Sequence, residues 1–223
     1  MLLAESGKPL IQHVHERAAM APGEPRVIVL TDDDRVEAAV TAYGGEVRRT
    51  RPDHASGTDR CAEAAAGLVE PVVVNVQGDE PLLSPEDLGA LAADVAASGA
   101  DIATLGWPFE DEAAMDDPHA VKAVRDADGW ALGFTREAAR ARALAGEDGE
   151  ILHHVGIYAF RRERLLAFPG LPRTEGEIAE RLEQLRALEH GWRLRVLDAS
   201  RPAFGIDVRA DYDRFLAALE ASS

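Results

Sequence analysis

Short apolar runs of strand length alternate with helix-length amphipathic stretches from residue 26 onward. Arg26-Val27-Ile28-Val29-Leu30 is followed by a segment that carries Val36, Ala39 and Val40 at helical spacing, and then by Glu46-Val47-Arg48. The pattern predicts an Ala-rich helix over 57–69, a strand over 72–76, a helix over 85–97 and a strand over 101–105. Such βα repetition predicts an α/β protein with a three-layer, Rossmann-like, mostly parallel sheet and right-handed crossovers.

The middle of the chain departs from this rhythm. An acidic stretch over 110–117 reads as a solvated loop, and strands are predicted over 120–125 and 130–134 with a hairpin turn at 126–129. A third strand is predicted over 155–160, after an Arg/Ala/Gly-rich segment at 136–150 read as helix and loop. Together these suggest a small inserted β-rich lobe over about 108–170, suited to substrate capture or dimerisation. Farther on, one long helix over 175–190 stops at Gly191, a strand covers 193–197, and Phe204-Gly205-Ile206-Asp207 precedes a final helix. No Pro/Gly/Ser-rich linker divides residues 1–223, so a single domain with its inserted lobe is expected.

Composition narrows the partners. With 223 residues and 46% hydrophobic content the chain can bury a substantial core. A formal net charge of −16 argues against a nucleic-acid binder, since such affinity rests on clustered cations. Lys8 and Lys122 are the only lysines, so nearly every cationic group is a guanidinium, suited to bidentate contacts with carboxylate or phosphate, although genome base composition yields the same bias. No apolar stretch approaches the length of a membrane span and no signal-peptide pattern opens the chain, so a cytoplasmic protein is expected. The lone Cys61 excludes an intrachain disulfide and is expected to be a buried free thiol.

The chemistry centres on Val72-Val73-Val74-Asn75-Val76-Gln77-Gly78-Asp79-Glu80-Pro81, a buried strand that delivers an acidic turn to a cleft. Asp79 and Asp207 each end a strand-like run, where a doubly wound sheet would bring them together, and two carboxylates suit one Mg²⁺ whose other ligands are water and phosphate. The alternative is that each caps a turn or helix. The helix start in Arg51-Pro52-Asp53-His54-Ala55-Ser56-Gly57-Thr58-Asp59-Arg60 would favour an anion, or form a simple capping box. His153 and His154 lack a third ligand for zinc and suit hydrogen bonding to a polyhydroxylated ligand, or a structural strand end. With Leu182 and Leu185 facing the core, Glu183 and Gln184 edge into a cleft or into solvent.

Taken in order, these segments resemble the 3-deoxy-manno-octulosonate (Kdo) cytidylyltransferases, the CMP-Kdo synthetases of lipopolysaccharide assembly. The resemblance is carried by Gly44-Gly45-Glu46-Val47, the stretches 53–60 and 74–81, Ala120-Val121-Lys122, Phe134-Thr135-Arg136, His154-Val155-Gly156-Ile157-Tyr158, Leu182-Glu183-Gln184-Leu185-Arg186 and Gly205-Ile206-Asp207. It implies a nucleotide-diphospho-sugar transferase fold and a homodimer that joins CMP from CTP to the 2-hydroxyl of Kdo with Mg²⁺, releasing pyrophosphate. Asp79 and Asp207 match the family's metal-binding acids, and with Gln77 its catalytic set. Arg60 matches a position at the nucleotide, while Arg136, His154, Tyr158, Glu183 and Gln184 match the sugar-acid pocket.

The departures from the family pattern are specific. Members begin with a strand and an Arg-x-x-Ser-x-Arg-Leu-Pro-x-Lys phosphate loop, whereas Met1-Leu2-Leu3-Ala4-Glu5-Ser6-Gly7-Lys8-Pro9-Leu10 resembles the segment after that loop. Met1 is therefore expected to be an internal methionine behind a start assigned too far downstream. The alternatives are a cytidylyltransferase for another acidic sugar, or a silent paralogue that binds without turnover. Asp59 stands where the family has Glu, a second arginine contact is open between Arg140 and Arg142, and Glu177 and Glu180 are the retained acids of a divergent segment at 170–177 and beyond.

Overall fold

A computed structural model of the chain describes residues 1–202 and 204–221. Helix α1 (Leu10–Ala19), absent from the sequence-based expectation, precedes β1 (Ile28–Thr31), α2 (Asp34–Ala42), β2 (Glu46–Arg49), α3 (Gly57–Ala65) and β3 (Val72–Asn75). Then come α4 (Pro85–Ser98), β4 (Ile102–Trp107), α5 (Glu112–Asp116), β5 (Lys122–Arg125), β6 (Ala131–Thr135), α6 (Ala138–Ala145) and β7 (Glu150–Arg161). The chain closes with α7 (Arg162–Ala167), α8 (Glu175–Glu180), α9 (Gln184–Glu189), β8 (Leu194–Asp198) and α10 (Arg209–Ala221). Helix starts follow local chemistry: the side chains of Asp33, Ser56, Ser84 and Thr174 accept backbone N–H bonds in the first turns of α2, α3, α4 and α8.

The α/β class holds, but a mostly parallel sheet does not describe the main layer. β1 and β2 pair in parallel as a two-stranded sheet, whereas the six-stranded sheet runs β6-β5-β7-β4-β8 with β3 also on β7. There only β4–β8 is parallel; β7 runs antiparallel to β3, β4 and β5. The reason is the length of β7. Its first residues pair with β5, its last with β3, and its other edge with β4, so one reversed strand ties the inserted segment into the central sheet.

The two faces of this sheet carry separate cores. Tyr158, Phe160 and Ile102 pack with Phe134, Phe168 and Leu185 on one side, while Ala103, Leu105, Val155 and Ile157 pack with Leu88, Leu91 and Val95 of α4 on the other. The period of two along β4 and β7 generates both faces. Gly106 lets β7 close down, since a Cβ there would lie 2.7 Å from Leu152. Among the described residues no helix is long and apolar enough to cross a membrane.

The expected single helix over 175–190 is two short helices. Arg181 takes a left-handed conformation, φ 56°, and ends α8. The two pieces are clamped across this break by a buried bidentate pair: Arg186 donates to Glu177 at 2.5 Å and 2.9 Å and lies 4.5 Å over the Phe168 ring. Burial pushes the Glu177 carboxyl up, but hydrogen bonds and charge from Arg186, with Arg173, hold it below its ordinary range. Stability from this pair is therefore present above the unfolded carboxylate pKa and lost as pH falls through the depressed folded value. Arg186→Ala is expected to cost about 3 kcal/mol in urea unfolding, the low end for a broken buried pair, because Glu177 keeps only the exposed Arg173 as a partner. Glu177→Gln should flatten the acid limb of stability against pH; an unchanged acid limb would show that the pair does not contribute.

Candidate active site

The site is organised by an irregularity in β7. Thr104 pairs with Tyr158, yet the next residue, Leu105, pairs with Val155, so two extra residues of β7 oppose one step of β4. An even number of inserted residues preserves the alternation of faces. The strand shortens as a result. Four residues of extended chain would span about 13 Å, but the rings of His154 and Tyr158 meet at 5.4 Å between centroids. The hydroxyl of Thr104, fully buried, lies 2.8 Å from the Ile157 carbonyl oxygen, 3.2 Å from that of Val155 and 3.0 Å from His154 Nε2.

This pocket is desolvated. Burial, with the neighbouring His153, pushes His154 down to about 3, so its ring is neutral at physiological pH. Burial and then the Glu183 carboxylate push the Tyr158 phenol well up. Across from Tyr158, Asn75 ends β3 and its amide donates to the Thr58 hydroxyl, 3.4 Å away, which in turn donates to Glu183. A small cavity of about 10 Å³ lies between Thr58, Tyr158, Glu183 and Gln184. Buried and unpartnered at this end are Asp59 Oδ1, Glu183 Oε2 and Gln184 Nε2, polar atoms that a bound polar ligand or water would satisfy. The break between α8 and α9 delivers Glu183 and Gln184 here, with Leu182 and Leu185 buried as expected.

At the carboxyl end of β3, Gln77 faces the start of α3, since a Cβ on Gly57 would lie 3.8 Å from its amide. Asp79 and Asp207 come from adjoining turns: the Ile206 amide donates to the Asp79 carbonyl oxygen at 3.0 Å. Glu80 lies close enough to feel both. Burial raises its pKa most, an accepted bond from the Phe204 backbone lowers it, and the charges of Asp79 and Asp207 raise it further. Arg60 is anchored elsewhere, on Thr50 and on Asp32, 3.1 Å away, at the ends of β2 and β1.

Arg136 is engaged with the protein, donating to the carbonyl oxygens of Glu180 at 3.2 Å and His119 at 3.0 Å. Its backbone N–H donates to Glu180 Oε2, whose other oxygen accepts from Thr135 and Arg140. Arg142 instead pairs with Glu112 and Asp116, so Arg140 is the neighbour of Arg136. Lys122, fully buried, gives its three donors to the carbonyl oxygens of Asp117, Ala120 and Arg136 and fixes the loop before β5. Its place as one of two lysines inside an apolar run was a signal available in the sequence; Thr58 and Thr104 gave none. Cys61 has its thiol pushed up to about 12, mainly by burial, which makes it unreactive.

An α/β sheet whose strand β3 ends in an acidic turn beside a polar pocket is the arrangement of a nucleotide-handling transferase. The Cytidylyltransferase family pattern matches residues 2–196. The chain belongs to the cytidylyltransferase family, and within it to the 3-deoxy-manno-octulosonate cytidylyltransferases. It is 48% identical over 222 residues to the enzyme of that name from Anaeromyxobacter dehalogenans, covering 98% of this chain and 90% of that one. To the Syntrophotalea carbinolica enzyme it is 42% identical over 217 residues, 93% and 87% of the two chains. Among solved structures, a CMP:2-keto-3-deoxy-manno-octonic acid synthetase complexed with CTP superposes with a TM-score of 0.90 at 37% identity, covering 100% of this chain and 92% of the other.

Because Glu80 has a raised pKa in the folded state, it contributes stability that is present below its unfolded pKa and lost as pH rises through the folded one. Glu80→Gln is therefore expected to raise the urea midpoint at neutral pH, with the gain vanishing in acid. A midpoint that does not change at neutral pH would argue that neither burial nor the charges of Asp79 and Asp207 press on Glu80.

Proposed function

We propose that this protein transfers CMP from CTP to the 2-hydroxyl of Kdo, giving CMP-Kdo and pyrophosphate for lipopolysaccharide assembly. The observation that carries the proposal is the bulged β7, which sets His154 against Tyr158, itself facing Glu183 and Gln184 across a small cavity, in a chain similar over its whole length to a synthetase solved with CTP. Neutral His and Tyr, with an amide and a carboxylate, supply the mixed donors and acceptors that sugar hydroxyls require. Arg136, on exchanging its carbonyl contacts for the sugar carboxylate, would provide the bidentate fork that fixes the acid.

The acidic turn fits Mg²⁺. The Ile206 backbone bond joins the turns that carry Asp79 and Asp207, and the charges of both reach Glu80. Two carboxylates are the donor number Mg²⁺ takes when phosphates and water complete its shell. When bound, Mg²⁺ would offset charge building on the phosphate oxygens. The chain's own residues perform the positioning: the pocket on β7 orients the sugar so that its 2-hydroxyl meets the α-phosphorus in line, Gln77 and Arg60 flank the nucleotide side, and the buried walls exclude water that would compete as nucleophile. A homodimer paired through the inserted lobe, where Leu132 on β6 is exposed, completes the proposal.

Pyrophosphate release from CTP and Kdo, measured with and without Mg²⁺, tests the assignment. Asp79→Asn and Asp207→Asn are each expected to lower the rate by roughly 100-fold or more, as loss of a transition-state electrostatic contact does, with unfolding midpoints near wild type. Near-normal turnover in either variant would remove that residue from the metal site.

A further inference from the structure

We propose that Thr104 is a positioning residue that fixes His154 as its Nε2-protonated tautomer, so that Nδ1 is left as a lone-pair acceptor that reads a hydroxyl of the sugar acid. This rests on the function proposed above and adds a residue to it.

The inference follows from counting protons. The Thr104 oxygen has three close partners, the carbonyl oxygens of Ile157 and Val155 and His154 Nε2, at 2.8, 3.2 and 3.0 Å, and only one hydrogen to give. Carbonyl oxygens only accept. If the hydroxyl donated to Nε2, its lone pairs would face the Ile157 carbonyl at 2.8 Å in a site with no exposure to water, leaving an orphaned carbonyl in the bulge. The hydrogen therefore goes to the carbonyl, and Nε2 must carry the proton that it donates to Oγ1. With the ring neutral, a second proton is absent and Nδ1 has a free lone pair. Among the described residues Nδ1 has no hydrogen-bond partner, and it is not one of the buried polar atoms sealed from solvent. A bare lone pair accepts from an O–H and repels a carboxylate or carbonyl oxygen. His154 in this tautomer thus selects a hydroxyl at its position and directs the sugar's carboxylate elsewhere.

Two-bond ¹H–¹⁵N correlation spectra of the full protein labelled at histidine, assigned by loss of one ring in His154→Asn, read the tautomer without turnover. Wild type and Thr104→Ser should show a protonated Nε2 and a bare Nδ1 at His154, while Thr104→Val should show mixed or reversed protonation. In steady state, Thr104→Val should raise KM for Kdo about tenfold, the weight of one oriented hydrogen bond, with KM for CTP unchanged and Thr104→Ser restoring it. A protonated Nδ1 in wild type overturns the proposal, as does a Thr104→Val protein with wild-type protonation and KM. If Thr104→Val does not fold, the wild-type and Thr104→Ser spectra decide the tautomer. A protonated Nε2 in a protein that does not turn over Kdo supports the positioning role and overturns only the sugar assignment.

Discussion

Strand β7 has to satisfy two pairings that do not share a register, and the site exists because of how the mismatch is absorbed. Its two extra residues against β4, Gly156 and Ile157, leave the Ile157 carbonyl outside the regular ladder, in a place sealed from water. A buried carbonyl without a partner is costly. The hydroxyl of Thr104 gives its one hydrogen to that carbonyl, and so the shortened strand can hold His154 and Tyr158 in ring contact. The pocket's geometry is thus a by-product of hydrogen-bond bookkeeping in the sheet.

The remaining walls depend on similar devices placed where regular structure ends. The Glu177–Arg186 pair holds α8 and α9 across a left-handed residue, and that break, rather than a continuous helix, turns Glu183 and Gln184 toward Tyr158. Lys122 spends its full set of donors on three carbonyls and so anchors the loop that carries His119, an acceptor for Arg136. In each case a charged or polar side chain substitutes for the backbone pairing that an irregular segment lacks.

Electrostatically the site has two halves. Around His154 and Tyr158, burial keeps ionisable groups uncharged, which suits recognition of hydroxyls. At the end of β3, Glu80 has its pKa raised first by burial and then by the charges of Asp79 and Asp207. A neutral half thus lies beside an acidic one, and the two meet where β3 and β7 pair at Asn75 and Tyr158.

Local pattern was sufficient for the α/β class, for most strands to within a few residues, and for the acidic turn after β3, because apolar periodicity and Gly/Pro punctuation are written in neighbouring residues. The motifs around Asp79, His154 and Glu183 were legible for the same reason. What only the tertiary structure decided was nonlocal: the reversed β7 in the middle of the main sheet, the split of the helix at Arg181, the choice of Arg140 over Arg142 beside Arg136, and the roles of Thr58 and Thr104. A threonine in an apolar strand carries no periodic signal that separates a packed hydroxyl from one that closes a bulge. Its partners lie about fifty residues away in sequence, and strand register, which brings them together, is set by the sum of pairings along both strands rather than by the residue itself.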